Sequence, residues 1–203
     1  NRMRRFEARG QPSAAWAVGS PLLALLMTTL IGMALFAALG KDPWRGIELF
    51  FIEPIRDGYA WGELMVKATP LLLIALGLAV CFRSNVWNIG AEGQFVLGAI
   101  AAGGVALLGS AETGAWLNAV VLLAGVLGGM VWAALVAWLR DRFNANEILV
   151  SLMLVYVAIQ LLYYLVFGPW KDPLGFNFPQ TRNFEDGALV PRLFDGSRVH
   201  LGL

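Results

Sequence analysis

What most restricts the folding of this chain is the spacing of its charges. Lys, Arg, Asp and Glu are missing from four long runs, Gly10 to Gly40, Gly93 to Ala111, Thr113 to Leu139 and Ile148 to Trp170, and from a shorter one, Ala68 to Phe82. A helix rises about 1.5 Å per residue, so about 20 apolar residues cross some 30 Å of hydrocarbon. The four long runs meet that length, and Val66 with the aliphatic stem of Lys67 extends the fifth. The sequence therefore predicts an all-α, polytopic transmembrane helical bundle with five spans, at 20–39, 67–83, 93–110, 115–139 and 148–168. Composition agrees: only 14% of the 203 residues are charged and 58% are hydrophobic, against roughly 25% charged in soluble domains. A water-soluble globule could not hide so much apolar surface.

Several functions are excluded at this level. A net charge of +1 provides no strong field for nucleic acid. The single cysteine, Cys81, cannot form an internal disulfide, and the single histidine, His200, cannot build a His-rich metal site. Lys41, Lys67 and Lys171 are the only lysines and none precedes Ser or Thr, so there is no phosphate-binding G-x-x-x-x-G-K-[ST] loop. G-x-S-x-G and H-E-x-x-H are also missing, which leaves no basis for an enzyme.

Arg2, Arg4, Arg5 and Arg9 precede a first apolar stretch longer than a signal-peptide core and lacking a clean cleavage site, so a retained helix with a cytoplasmic N-terminus is expected. Alternation then puts Lys41 to Lys67 and 169–203 outside, together with the Glu112 turn, and Arg83 to Glu92 and Arg140 to Glu147 inside. The inside segments hold 7 Lys+Arg and 4 Asp+Glu, and the longer outside segments hold 8 and 10, in keeping with the positive-inside rule. Aromatics interleaved with charges in 41–66 suit a helix lying in the headgroup plane. The 169–203 segment, with Pro169, Pro173, Pro179 and Pro191, reads as an external cap or docking surface. An odd number of spans and an end at Leu203, where apolar character returns, read as the first part of a larger protein.

Polar groups at depth cost about 2.5 kcal/mol or more and tend to be functional. Two islands qualify. Asn88, Glu92 and Gln94 fall within seven residues of Gly90 and Gly93, where backbone flexibility and close approach would allow a broken segment that hydrogen-bonds a polar solute. The plainer reading is a turn whose Glu92 complements a helix N-terminus. In the second island Asn146 could cap a helix with Glu147 in its first turn, or both could join Gln160, further along that helix, on a solute path. Gly98/Ala102 and Gly125/Gly129 form small-residue faces for helix packing. Trp16, Trp44, Trp61, Trp87, Trp116, Trp138 and Trp170 mostly flank span ends, as interfacial anchors do.

The stretch Arg83-Ser84-Asn85-Val86-Trp87-Asn88-Ile89-Gly90-Ala91-Glu92-Gly93-Gln94, continued by Phe95 to Ala99, closely resembles the signature of permease subunits of bacterial ABC importers for nucleosides and simple sugars. Asn144 to Leu154 and Gly168 to Pro173 with Phe178 to Thr181 extend the resemblance in the same order. Many members place Asn where this chain has Val155. The resemblance implies a multi-pass protein of the bacterial cytoplasmic membrane, paired with a second permease subunit. It also implies ABC ATPase subunits that hold ATP and Mg, and an extracytoplasmic solute-binding protein. The ATPase-coupling loop would lie beyond this chain. A secondary transporter with broken helices at the midplane would look similar. A non-transporting membrane scaffold would leave the buried polar residues without a purpose.

Overall fold

A computed structural model of the chain describes residues 13–202 except 111, 112, 115, 177 and 195, and not the side chain of residue 14. The N-terminal arginines and the Glu112 turn lie outside the described residues. Six α-helices follow in order: α1 (Ala14–Ala38), α2 (Pro43–Ile47), α3 (Gly58–Arg83), α4 (Ala91–Leu108), α5 (Trp116–Phe143) and α6 (Glu147–Phe167). Five of them, all but α2, are long and apolar enough to cross a membrane. The described residues form no strand beyond two isolated antiparallel bridges. They make up two compact units, Asn1–Leu64 and Met65–Leu203.

In the first unit, α1 ends where Gly40 adopts a left-handed φ of +68°. Lys41 N–H then reaches back to the Phe36 carbonyl at 2.9 Å, the return bond of a helix C-cap. Asp42 accepts from Trp44 N–H at 2.9 Å and starts α2 with Pro43 in its first turn. The single interfacial helix expected over 41–66 is instead three short pieces: α2, a π-turn at Glu48–Ile52 and a 3-10 turn at Glu53–Ile55. Pro54, which lacks an N–H, stands where a continuous helix would need a donor. Phe50 and Phe51 are exposed beside the Arg45–Glu48 and Arg56–Glu53 ion pairs.

Helix α3 begins nine residues before the expected span at 67. Asp57 caps it, accepting from Ala60 N–H at 2.8 Å. Glu63 and Lys67 break the charge-free run but not the helix, because a helix end beyond hydrocarbon tolerates charge. Pro70 lies inside α3, and Thr69 Oγ1 donates to the Met65 carbonyl one turn earlier at 2.9 Å.

The second unit is organised by α4. A Cβ on Gly98 would stand 2.9 Å from the Gly125 carbonyl oxygen, and one on Gly128 would stand 2.9 Å from that of Leu97. Gly125 and Gly129 approach Ala102 and the Gln94 carbonyl in the same way. Helices α4 and α5 therefore meet nearly backbone to backbone, as small residues allow. At one end of the unit the 169–202 segment folds over this pair. Trp170 lies against Gly104, Ala188 is buried with Ala106 and Leu117, and an Arg182 guanidinium N–H donates to the Leu107 carbonyl.

Replacing Gly98 by Leu should separate α4 from α5 and cost about 1–3 kcal/mol of overpacking strain. Gly19→Ala, where a new Cβ meets nothing within 4 Å, should cost nothing. Thermal unfolding of the two variants of the full-length protein in detergent checks the contrast.

Candidate functional site

At the opposite end of the second unit, two connections come together. Helix α3 ends with Asn85 at φ +57° and Val86 N–H bonded to the Cys81 carbonyl at 2.9 Å, while α5 ends with Asn144 at φ +50°. Asparagine tolerates this left-handed backbone better than other residues with a Cβ, so each chain turn is sharp. Neither Gly90 nor Gly93 adopts a left-handed backbone. Gly90 has a φ of −97° and Gly93 lies inside α4. Each instead permits close approach: a Cβ on Gly90 would be 2.8 Å from the Ser151 Cβ, and one on Gly93 would be 3.0 Å from the Val155 Cα.

That approach ties the 84–90 connection to α6. Ile89 N–H donates to Ser151 Oγ at 3.3 Å, and Ser151 Oγ donates to the Ile148 carbonyl at 3.2 Å. Ser151 is 1% exposed. Trp87 N–H donates to Glu147 Oε1 at 3.4 Å, and the same oxygen pairs with Arg140 Nη1 at 3.1 Å. Glu147 thus links α5, α6 and the 84–90 connection. Asn88 and Gln94 bond through both amides, Asn88 Nδ2 to Gln94 Oε1 at 3.3 Å and Gln94 Nε2 to Asn88 Oδ1 at 3.4 Å. Asn88 Oδ1 also accepts from Gly90 N–H at 2.9 Å.

These groups line a cavity of about 360 Å³ whose polar wall is Asn88, Gln94, Arg140, Asp141 and Glu147, and whose apolar wall includes Val86, Ala133 and Val136. Three of the residues singled out in the sequence, Asn88, Gln94 and Glu147, therefore meet at one site. Others do not. Asn146 caps α6, its Oδ1 accepting from Ile148 N–H at 3.0 Å and Leu149 N–H at 3.4 Å. Glu92 is exposed in the first turn of α4, and Gln160 is exposed on α6. Neither lines this cavity. Gly98, Ala102, Gly125 and Gly129 lie further along the α4–α5 contact. Sequence reasoning passed over Arg140 and Asp141 as site residues and gave Ser151 no role. The i, i+4 step from Glu147 to Ser151 on one face of α6 was the available signal.

Five helices long and apolar enough to cross a bilayer define a multi-pass membrane protein. The chain belongs to the family described as the branched-chain amino acid transport system / permease component, whose model matches residues 61–198. It is 38% identical over 180 residues to a glucose ABC transporter permease protein of Haloferax volcanii, covering 88% of this chain and 47% of that protein. A guanosine ABC transporter permease protein of Bacillus subtilis is 26% identical, with 90% and 53% covered. A nucleoside ABC transporter permease protein of Lactococcus lactis is 28% identical, with 90% and 52% covered. The chain spans about half the length of these curated relatives. No solved structure matches it.

The hydrogen bonds differ in weight. Ser151→Ala removes the acceptor of the Ile89 N–H, an oxygen on a side chain that is 1% exposed, and should cost about 1–3 kcal/mol. Glu147→Gln keeps an acceptor for Trp87 N–H and loses an ion pair whose arginine is 42% exposed, so it should cost no more than about 1 kcal/mol. Denaturation of both variants of the full-length protein, followed by intrinsic tryptophan fluorescence, tests the order.

Proposed function

We propose that this chain forms part of the transmembrane permease subunit of an ATP-driven ABC importer, and that its polar cavity lies on the path of a nucleoside or simple sugar. The observation that carries the reading is the cavity wall: two amides, the Arg140–Glu147 ion pair and the Asp141 carboxylate offer donors and acceptors, with no excess of positive charge to hold an anion. Uncharged, hydroxyl-bearing solutes suit such a wall. The relatives named for glucose, guanosine and nucleoside transport support the same class.

On this reading the protein sits in the cytoplasmic membrane of a bacterium with its N-terminus inside. It pairs with a second permease subunit and receives solute from an extracytoplasmic binding protein. ATP and Mg are held by separate ATPase subunits, and this chain performs no chemistry of its own. The Glu147 cavity faces the cytoplasm, and 169–203 faces the binding protein. The aromatic-rich turns after α1 lie in the headgroup plane.

Two measurements test it. Thiol labelling of intact cells should reach Ser197→Cys and not Asn144→Cys; the reverse pattern refutes the orientation. In proteoliposomes holding the full-length permease, its ATPase and its binding protein, uptake of labelled glucose or guanosine should require ATP. Gln94→Leu should lower that uptake by up to about tenfold, the value of one hydrogen bond near 1.4 kcal/mol. Glu92→Gln should lower it less. Uptake that runs on an ion gradient without ATP would instead establish a secondary transporter.

A further inference from the structure

Two cavities meet at Asn88 and Gln94. Besides the cavity beside Arg140 and Glu147, a second one of about 320 Å³ lies between α3 and α4, and the two share Cys81, Asn88 and Gln94 as lining residues. Apart from those shared side chains the second is walled by apolar residues, including Leu73, Leu78 and Phe95. The amide pair thus lines both a volume bordered by the charged Arg140, Asp141 and Glu147 and one bordered by no charged side chain.

The pair is asymmetric. Asn88 is anchored by Gly90 N–H at 2.9 Å, whereas Gln94 bonds only to Asn88, at 3.3 and 3.4 Å. Those distances exceed the usual 2.7–3.2 Å of a protein N–H···O bond. Gln94 also has a longer, more flexible side chain. Releasing Gln94 costs two weak bonds and leaves Asn88 in place.

We propose that the Asn88–Gln94 pair is an exchangeable partition: Gln94 leaves Asn88 to bond an uncharged solute, and the two cavities become one binding volume. Each amide then has a donor and an acceptor for paired hydroxyls or a nucleobase edge. The apolar cavity receives the C–H or ring face of the same molecule. Singly, each cavity is near the lower limit of about 300 Å³ for small-molecule sites, and joined they fall well inside the range. Beside the Arg140–Glu147 pair, Asp141 is a carboxylate of the same wall that forms no ion pair among the described residues, so phosphate esters are disfavoured. The solute class rests on the import reading.

Cys81 lies on the shared wall, which makes its thiol a reporter. In the full-length permease assembled with its ATPase, N-ethylmaleimide alkylation of Cys81 is followed by peptide mass spectrometry. Glucose or guanosine should slow it several-fold, and glucose 6-phosphate should not. Gln94→Leu should abolish the protection; if that variant does not assemble, Gln94→Glu, which keeps the shape but adds a charge near Asp141, should abolish it too. An unchanged Cys81 rate in a preparation that imports either solute overturns the partition and leaves the import reading intact. Full protection retained in the Gln94 variants overturns it as well. Protection without ATP-driven uptake supports the partition and refutes the import reading, and neither protection nor uptake refutes both.

Discussion

Where α4 meets α5 and α6, almost no side chain separates the backbones. The shortest contact a Cβ would make is 2.9 Å at Gly98 and 2.6 Å at Gly128, closer than real Cβ atoms approach, and 3.0 Å at Gly93, tighter than most do. Such contact gains dispersion energy over whole peptide units and loses nothing to rotamer ordering, since glycine has no side chain to fix. Its consequence is positional. With α4 held this close, the connection before it runs directly over the first turn and a half of α6. The peptide N–H groups of Trp87 and Ile89 can then bond Glu147 and Ser151 rather than stay unpaired near the membrane.

That placement sorts the polar residues into two groups with different work. Asn85, Asn144 and Asn146 turn or cap the chain, and Ser151 holds a backbone N–H; their hydrogen-bonding capacity is largely used in doing so. Asn88, Gln94, Arg140, Asp141 and Glu147 keep atoms facing open volume. A stretch rich in Asn, Gln and Glu is therefore not a site as a whole. The scaffolding members set the geometry, and the remaining members are available to a solute.

The five spans were legible because hydrocarbon thickness fixes a length that charge-free runs must match; α4, α5 and α6 lie within four residues of the expected limits at both ends, and α1 starts six residues early. The start of α3 was not legible from those runs, since Asp57 sets it by capping, nine residues outside the apolar stretch. Asn88, Gln94 and Glu147 were legible as polar residues in apolar surroundings. Their meeting was not, because it depends on α4 and α6 packing at Gly90 and Gly93, and sequence spacing carries no information about which helix lies opposite. Glu92 looked equivalent to its neighbours in the sequence, but on a helix it points away from Gln94, two residues on. At Val155, where the resemblance suggests Asn, the structure places a buried side chain on the helix that meets Gly93. Trp132 Nε1, 3.3 Å from the position of a Gly93 Cβ, is buried without a hydrogen-bond partner among the described residues.

The apolar exterior follows from the same packing. Large hydrophobic side chains such as Leu23, Leu71, Leu123 and Met153 are mostly exposed, while the buried set is small: Ala106, Ala158, Ala188, Val155, Val199, Leu117 and Ser151. In water that inversion could not be stable, because the hydrophobic effect would drive the large side chains inward. In a bilayer, lipid tails solvate Leu as well as another helix does, and the residues selected for helix contact are those that let backbones approach. The glycines of α4 and α5 and the leucines of the outer faces thus answer a single solvent condition. A cavity with polar groups can persist at the end of the second unit because close backbone contact holds α4 against α5 and α6, which leaves Arg140 and Glu147 a single ion pair to tie the helix ends and leaves the Asn88 and Gln94 amides free of any helix-to-helix bond.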